Sequence, residues 1–135
     1  MDSVVHFEMP YQDRERMARF YETAFQWQTK TLGPEMGNYV LAMTTETAEN
    51  GFPKNPGAIN GGFYETNPEW PAQVPSIVIA VDDIQAAMRK VTEAGGKVLG
   101  EPMEIPGVGP YVSFFDTEGN RASLLQPLMR AGGAS

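Results

Sequence analysis

The chain has 135 residues, 41% hydrophobic and 10% aromatic, which is enough for one folded domain with a core and too few for two independent ones. Ten basic side chains against seventeen acidic ones give a formal net charge of -7 with no Lys/Arg cluster, and this excludes a phosphate-backbone binder. With no cysteine, disulfides, thiolate ligands and thiol nucleophiles are excluded as well, so His6, the carboxylates and the hydroxyls must carry any chemistry.

No apolar run approaches the ~20 residues of a membrane span, and no charged-then-apolar leader opens the chain. A cytoplasmic protein with no membrane partner is expected. Val4 to Met9 reads as a strand. Its alternation puts Val5, Phe7 and Met9 on one face, and Val4, His6 and Glu8 on the other. Asp13 is a competent N-cap. The helix after it carries Met17, Phe20, Tyr21, Ala24 and Phe25 at helical spacing. That stripe should cover Val5, Phe7 and Met9, which leaves His6 and Glu8 on the open side of the sheet.

Trp27 to Leu32 and Asn38 to Thr44 read as the next strands, with Gly33-Pro34 and Gly37 as turn signals. Thr45 to Gly57 is polar, with Gly51, Pro53 and Pro56, and reads either as a rim over a site or as a surface insertion. Ala58 to Tyr64 is a strand whose Gly61 and Gly62 suggest a close approach to the backbone. Asn67 to Pro75 holds three prolines in nine residues and reads as a linker. A strand from Ser76 to Val81 follows, then a helix from Asp82 or Asp83 to Ala94 with the stripe Ile84, Ala87, Met88 and Val91. Gly95-Gly96 suits its C-terminal stop. Strands near Lys97 to Glu101, Tyr111 to Asp116 and Arg121 to Gln126 complete the series, with Thr117 to Asn120 as a turn.

This order is a duplication. A shift of 70 residues lays Ser76-Ile77-Val78-Ile79 on His6-Phe7-Glu8-Met9, Asp83 on Asp13, Arg89 on Arg19 and Ala94 on Ala24. A shift of 72 lays GPYVSFF, from Gly109, on GNYVLAM, from Gly37. The chain is therefore read as a duplicated β-α-β-β-β unit: residues 1–66, a linker at 67–75, a second copy at 76–128 and a flexible tail at 129–135.

HFEM followed by D-x-x-R-x-x-x-F-Y-E (Asp13, Arg16, Phe20, Tyr21, Glu22), the VDDI from Val81 and the DTEGNRASLL from Asp116 resemble the glyoxalase, bleomycin-resistance and extradiol-dioxygenase superfamily, also called vicinal oxygen chelate. The resemblance covers Val4 to about Pro127. It implies an α+β fold of two βαβββ modules whose curled mixed sheets enclose a cavity, with helices outside. It also implies metal-ligand positions on the first and last strands of each module. Carried over, these positions hold His6, Ser76 and Ser123, with Asn60 as the one side chain of Ala58 to Tyr64 able to coordinate.

A divalent metal of this class wants about three protein ligands, and one histidine with two serines and an asparagine is a poor set, even with Glu8 beside His6. The expectation is no cofactor, a divalent metal being disfavoured. The expected function is binding of a small organic molecule by His6, Glu8, Asn60, Ser76, Arg121 and Ser123. The alternative is an enzyme related to lactoylglutathione lyase, of lyase, isomerase or dioxygenase type, using His6 and Glu8 for proton transfer with or without a weakly held divalent metal. A third class is a structural or regulatory domain acting through its surface. The resemblance also implies a homodimer.

Bland roles stand beside each candidate. His6 can be an acid or base near neutrality, or a remnant satisfied by a hydrogen bond. Glu8 can raise the pKa of His6, or be a solvated strand residue. Arg121 can hold an anionic group or a surface salt bridge. Tyr21 and Trp27 can line the cavity or pack the helix, and Gly119-Asn120 is turn chemistry first.

Overall fold

The computed structural model describes residues 1–128; the expected tail at 129–135 lies outside the described residues. Its elements are β1 (Val4–Tyr11), α1 (Arg14–Phe25), β2 (Gln28–Thr31), β3 (Val40–Met43), β4 (Asn60–Glu65), β5 (Ser76–Ala80), α2 (Ile84–Glu93), β6 (Lys97–Ile105), β7 (Gly109–Phe115) and β8 (Arg121–Leu125), with a 3-10 turn at Pro34–Met36. No helix among the described residues is long and apolar enough to cross a membrane.

The order is βαβββ twice. The chain forms two compact units, one from His6 to Pro75 and the other from Ser76 onward together with Met1–Val5. The opening residues join the second unit through a bond of 2.9 Å from the Ala80 N–H to the Ser3 carbonyl.

In the first unit the strands lie in the order β2-β3-β4-β1. β1 runs parallel to β4, with His6 opposite Asn60 and Glu8 opposite Gly62. The β2–β3 and β3–β4 pairs are antiparallel. The second unit repeats the plan as β5-β8-β7-β6, with β5 parallel to β8 and Val78 opposite Ser123. The β8–β7 and β7–β6 pairs are antiparallel. Two copies with the same strand order and the same single parallel pair are what the sequence duplication predicts.

Each helix starts where a capping aspartate stands. Asp13 accepts from the Arg16 N–H at 3.0 Å, and Asp83 from the Ala86 N–H at 3.1 Å. Both satisfy an N–H that the first helical turn leaves without an intrahelical acceptor. A second acceptor, the Gln126 Oε1, takes the Ile84 N–H at 2.9 Å and ties α2 to the end of β8.

The helix-facing side of each sheet holds the core. In the second unit Val81, Ile84, Val112, Phe114 and Leu124 are buried, with Ile79, Ala87, Met88 and Val91 packed on them, so the expected stripe of α2 is the one that packs. In the first unit Tyr11, Val40, Ala42 and Phe63 form the buried group, joined by Phe7, Met9, Met17, Tyr21 and Trp27.

The stripe of α1 is narrower than its spacing implied, for Phe20 and Phe25 are 57% and 58% exposed. The reason lies just beyond the helix. Gln26 takes a left-handed conformation, φ 59°, and turns the chain so that Trp27 stacks on Tyr21 at 4.6 Å and lies 6.5 Å from Phe63. Trp27 thus fills the space that Phe25 was expected to cover, and Tyr21 and Trp27 pack the helix.

Candidate functional site

Strand alternation divides β1 as expected, with Phe7, Met9 and Tyr11 in the helix-facing core and His6 and Glu8 on the other face. Glu8 is only 8% exposed. The two are joined through a third residue, Tyr39, which precedes β3. The Tyr39 hydroxyl lies 3.0 Å from His6 Nε2 and donates to Glu8 Oε2 at 3.1 Å. A phenol has one proton. With that proton given to Glu8, the His6 Nε2–H is the donor to Tyr39, and in the neutral imidazole the lone pair then sits on Nδ1.

Electrostatics act on His6 in two directions. Burial disfavours the imidazolium, and Glu8 favours it. Burial wins and holds the His6 pKa below its ordinary 6.5. The upward pull expected from Glu8 is present but outweighed, so His6 is neutral at neutral pH.

Gly62 makes room for this arrangement. A Cβ there would stand 2.0 Å from the Tyr39 ring. On the opposite face, a Cβ on Gly61 would meet the Phe7 ring at 2.5 Å. The double glycine of β4 is therefore flanked by an aromatic ring on each side, the close approach that its sequence suggested.

Asn60 serves the neighbouring loop. Its Oδ1 accepts from the Thr44 N–H at 2.9 Å and its Nδ2 donates to Thr47 Oγ1 at 2.9 Å, while the Thr44 hydroxyl donates to the Ile59 carbonyl at 2.7 Å. These bonds pin both ends of the segment between β3 and β4. Inside it, Thr47 bridges to Pro53 and Lys54 pairs with Glu46 at 2.9 Å; that ion pair is exposed and adds little.

The second unit carries its own polar group on the face away from α2. Ser123 is fully buried. Its hydroxyl lies 2.9 Å from Ser113 Oγ and donates to the Tyr111 hydroxyl at 2.8 Å. Arg121 Nη1 donates to Ser113 Oγ at 3.4 Å. Ser76 is 9% exposed, and its Oγ has no hydrogen-bond partner among the described residues.

Tyr39, Tyr111 and Ser113 join these polar groups only in the folded chain. The signal was present, however, since Tyr39 and Tyr111 occupy the same place in GNYVLAM and GPYVSFF. Each tyrosine reaches a polar residue of its own unit. The register also refines the matching of the copies. Glu8 faces Gly62 and its counterpart Val78 faces Ser123, so the place of Ser123 in the first copy is held by Gly62. Asn60 lies two residues earlier on the same face.

A family model described as the Glyoxalase/Bleomycin resistance protein/Dioxygenase superfamily matches residues 3–124. The chain belongs to this superfamily. A glyoxylase-like domain-containing protein of Didymella fabae is 37% identical over 117 residues, 84% of each chain. Among solved structures, a methylmalonyl-CoA epimerase in complex with methylmalonyl-CoA and ammonium superposes with a TM-score of 0.69 at 16% identity, covering 95% of this chain and 96% of that one. A hypothetical protein of Bacillus halodurans C-125 superposes with a TM-score of 0.67 at 14% identity, covering 96% and 97%. At these identities the structures show a shared glyoxalase-type fold.

The metal-ligand positions that membership in the superfamily implies are poorly furnished here. Among the described residues no three His, Cys, Asp or Glu side chains stand together as a metal site. His6 and Glu8 are engaged with Tyr39, Asn60 is engaged with Thr44 and Thr47, and Ser76 and Ser123 offer neutral hydroxyls, so this donor set does not fit a three-ligand divalent centre.

Proposed function

We propose that this glyoxalase-superfamily protein binds a small organic molecule through His6, Glu8 and Tyr39, with no resident divalent metal. The observation that carries this reading is the single phenol bonded to both the imidazole and the carboxylate. It fixes two polar side chains on the face of the sheet away from α1, and a few precisely placed polar groups are what orient a ligand in a small-molecule site. Because burial keeps the imidazole neutral, the group recognises by hydrogen bonding more than by charge. Asn60 contributes by holding the rim loop, and Ser76, Arg121 and Ser123 form a second polar group. A homodimer is part of the proposal, to be read by light scattering after size exclusion.

The test is a thermal-shift screen of small organic acids, aromatic metabolites and acyl-CoA esters, run on wild type, His6→Ala and Tyr39→Phe, beside metal analysis of the purified protein. The expected result is a ligand that raises the melting temperature of wild type and not of His6→Ala, with metal well below one equivalent. One equivalent of zinc, nickel, manganese or iron that is lost in His6→Ala would overturn the metal-free reading.

A second reading, proton transfer at a carbon of the ligand, is favoured by the neutral imidazole linked through Tyr39 to Glu8, an acid–base pairing. Incubation of the identified ligand with the protein in D2O separates the two readings. Deuterium incorporation that disappears in His6→Ala would identify an enzyme, and none with wild type would identify a binder.

A further inference from the structure

We infer that the outer face of α1 is an interface that receives the Glu69-to-Val74 turn of a second copy of this chain, with Trp70 seated beside Arg16 and Arg19. The inference rests on the proposed homodimer and deepens it by naming its surface. Both elements belong to the first unit.

The first observation is an aromatic ledge that the core leaves outside. α1 buries no residue fully, and Phe20 and Phe25, both more than half exposed, stand edge to face with ring centroids 6.3 Å apart. Phe20 also meets Tyr21 edge-on at 5.0 Å, which anchors the ledge to the core beneath it. Next to it a shallow groove of about 390 Å³ is lined by Arg16, Arg19, Phe20, Thr23 and Ala24. These five are all exposed and follow the i, i+3, i+4, i+7, i+8 spacing of one helical stripe. Among the described residues no carboxylate lies within ion-pairing distance of Arg16 or Arg19. Two unpaired cations beside exposed aromatic rings, in a chain of net charge -7, fit an occupant that is both aromatic and acidic.

The second observation supplies that occupant from the same sequence. Trp70 and Val74 are 57% and 54% exposed, and Glu69 is exposed beside the indole. The turn that carries them is braced from within. The Gln73 side-chain amide accepts from the Asn67 N–H at 2.6 Å and donates to the Trp70 carbonyl at 2.9 Å, and the Trp70 N–H donates to the Asn67 carbonyl at 3.0 Å. Pro68, Pro71 and Pro75 fix their own φ angles, and Ala72 holds a left-handed φ of 53°, which a residue with a side chain rarely adopts. An apolar side chain held outward on a turn this stiff loses little freedom on binding. Tryptophan and arginine are enriched among the residues that anchor interfaces. The indole suits the face of one guanidinium, and the Glu69 carboxylate suits the donors of the other. In a twofold dimer this contact occurs twice.

The experiment is sedimentation velocity and light scattering on the full chain over a wide concentration range, for wild type, Trp70→Ala, Glu69→Lys and the double variant Arg16→Glu/Arg19→Glu, with circular dichroism to check that each folds. Wild type is expected to dimerise, and Trp70→Ala and the arginine variant to dissociate about tenfold more readily or more. Glu69→Lys should weaken the dimer as well. An equimolar mixture of Trp70→Ala with the arginine variant is expected to associate more tightly than either alone, because one supplies an intact groove and the other an intact turn. A dimer that all these variants leave unchanged would place the interface elsewhere, overturning this inference and keeping the homodimer. A wild type that stays monomeric throughout would overturn both. No gain on mixing would show that the turn and the groove do not meet, and would overturn the inference too.

Discussion

The Tyr39 hydroxyl stands 3.0 Å from His6 Nε2 and gives its proton to Glu8 at 3.1 Å. Tyr39→Phe keeps the ring over Gly62 and removes one partner from each polar side chain. Its expected cost is about 1–3 kcal/mol, the range for buried groups deprived of a hydrogen bond, measured by urea denaturation. A cost near zero would mean that neither bond contributes to the folded state.

The pH dependence of stability follows from the lowered pKa of His6. Above the unfolded value of 6.5 both states carry neutral imidazole, and the effect is absent. As pH falls below 6.5 the unfolded chain binds a proton that the folded chain resists, so stability declines toward the folded pKa. Replacing His6 by Gln should flatten the stability profile in that window. An unchanged slope between wild type and the variant would show that another group controls it.

Gly62 and Tyr39 should be strongly coupled. Gly62→Ala places a methyl group 2.0 Å from the ring, and overpacking of this kind typically costs 1–3 kcal/mol. In a Tyr39→Ala background that clash is gone, so the same substitution should cost less by roughly 1 kcal/mol or more. Additive costs in the double-mutant cycle would remove the ring from its assigned place.

Asn60→Ala breaks both bonds that hold residues 44–47. The expected result is faster hydrogen exchange and proteolysis within residues 45–57, with the exchange of β4 and β1 amides little changed. Uniform acceleration across the first unit would show that Asn60 supports the whole sheet.

The two caps test the duplication. Asp13→Ala and Asp83→Ala should each cost about 1 kcal/mol, the usual loss for an N-cap aspartate. A loss at one position only would show that the two helices depend differently on their first turns.

The parts of this fold that were legible in the chain are those set by local chemistry. The capping aspartates, the stripe of α2 and the face shared by His6 and Glu8 all follow from periods of 3.6 and 2, which need no knowledge of distant residues. Helical spacing overstates the burial of Phe20 and Phe25 because it cannot reveal that Gln26 turns left-handed and brings Trp27 onto Tyr21. The polar site was half legible. His6 and Glu8 stood out as ionisable residues on one strand, whereas Tyr39, thirty-one residues beyond Glu8, joins them only once β3, β4 and β1 are assembled. Its repetition at Tyr111 was the clue that the alignment of the copies offered.

The bare backbone at Gly62 is what allows the phenol to sit where it does. In the register of the two copies Gly62 stands where Ser123 stands, and the Tyr39 ring occupies the volume that any side chain there would need. Phenol bridge and coordinating residue are thus mutually exclusive tenants of one space. A side chain at this position requires the Tyr39 ring to swing away, and the ring cannot leave its place without releasing both His6 and Glu8.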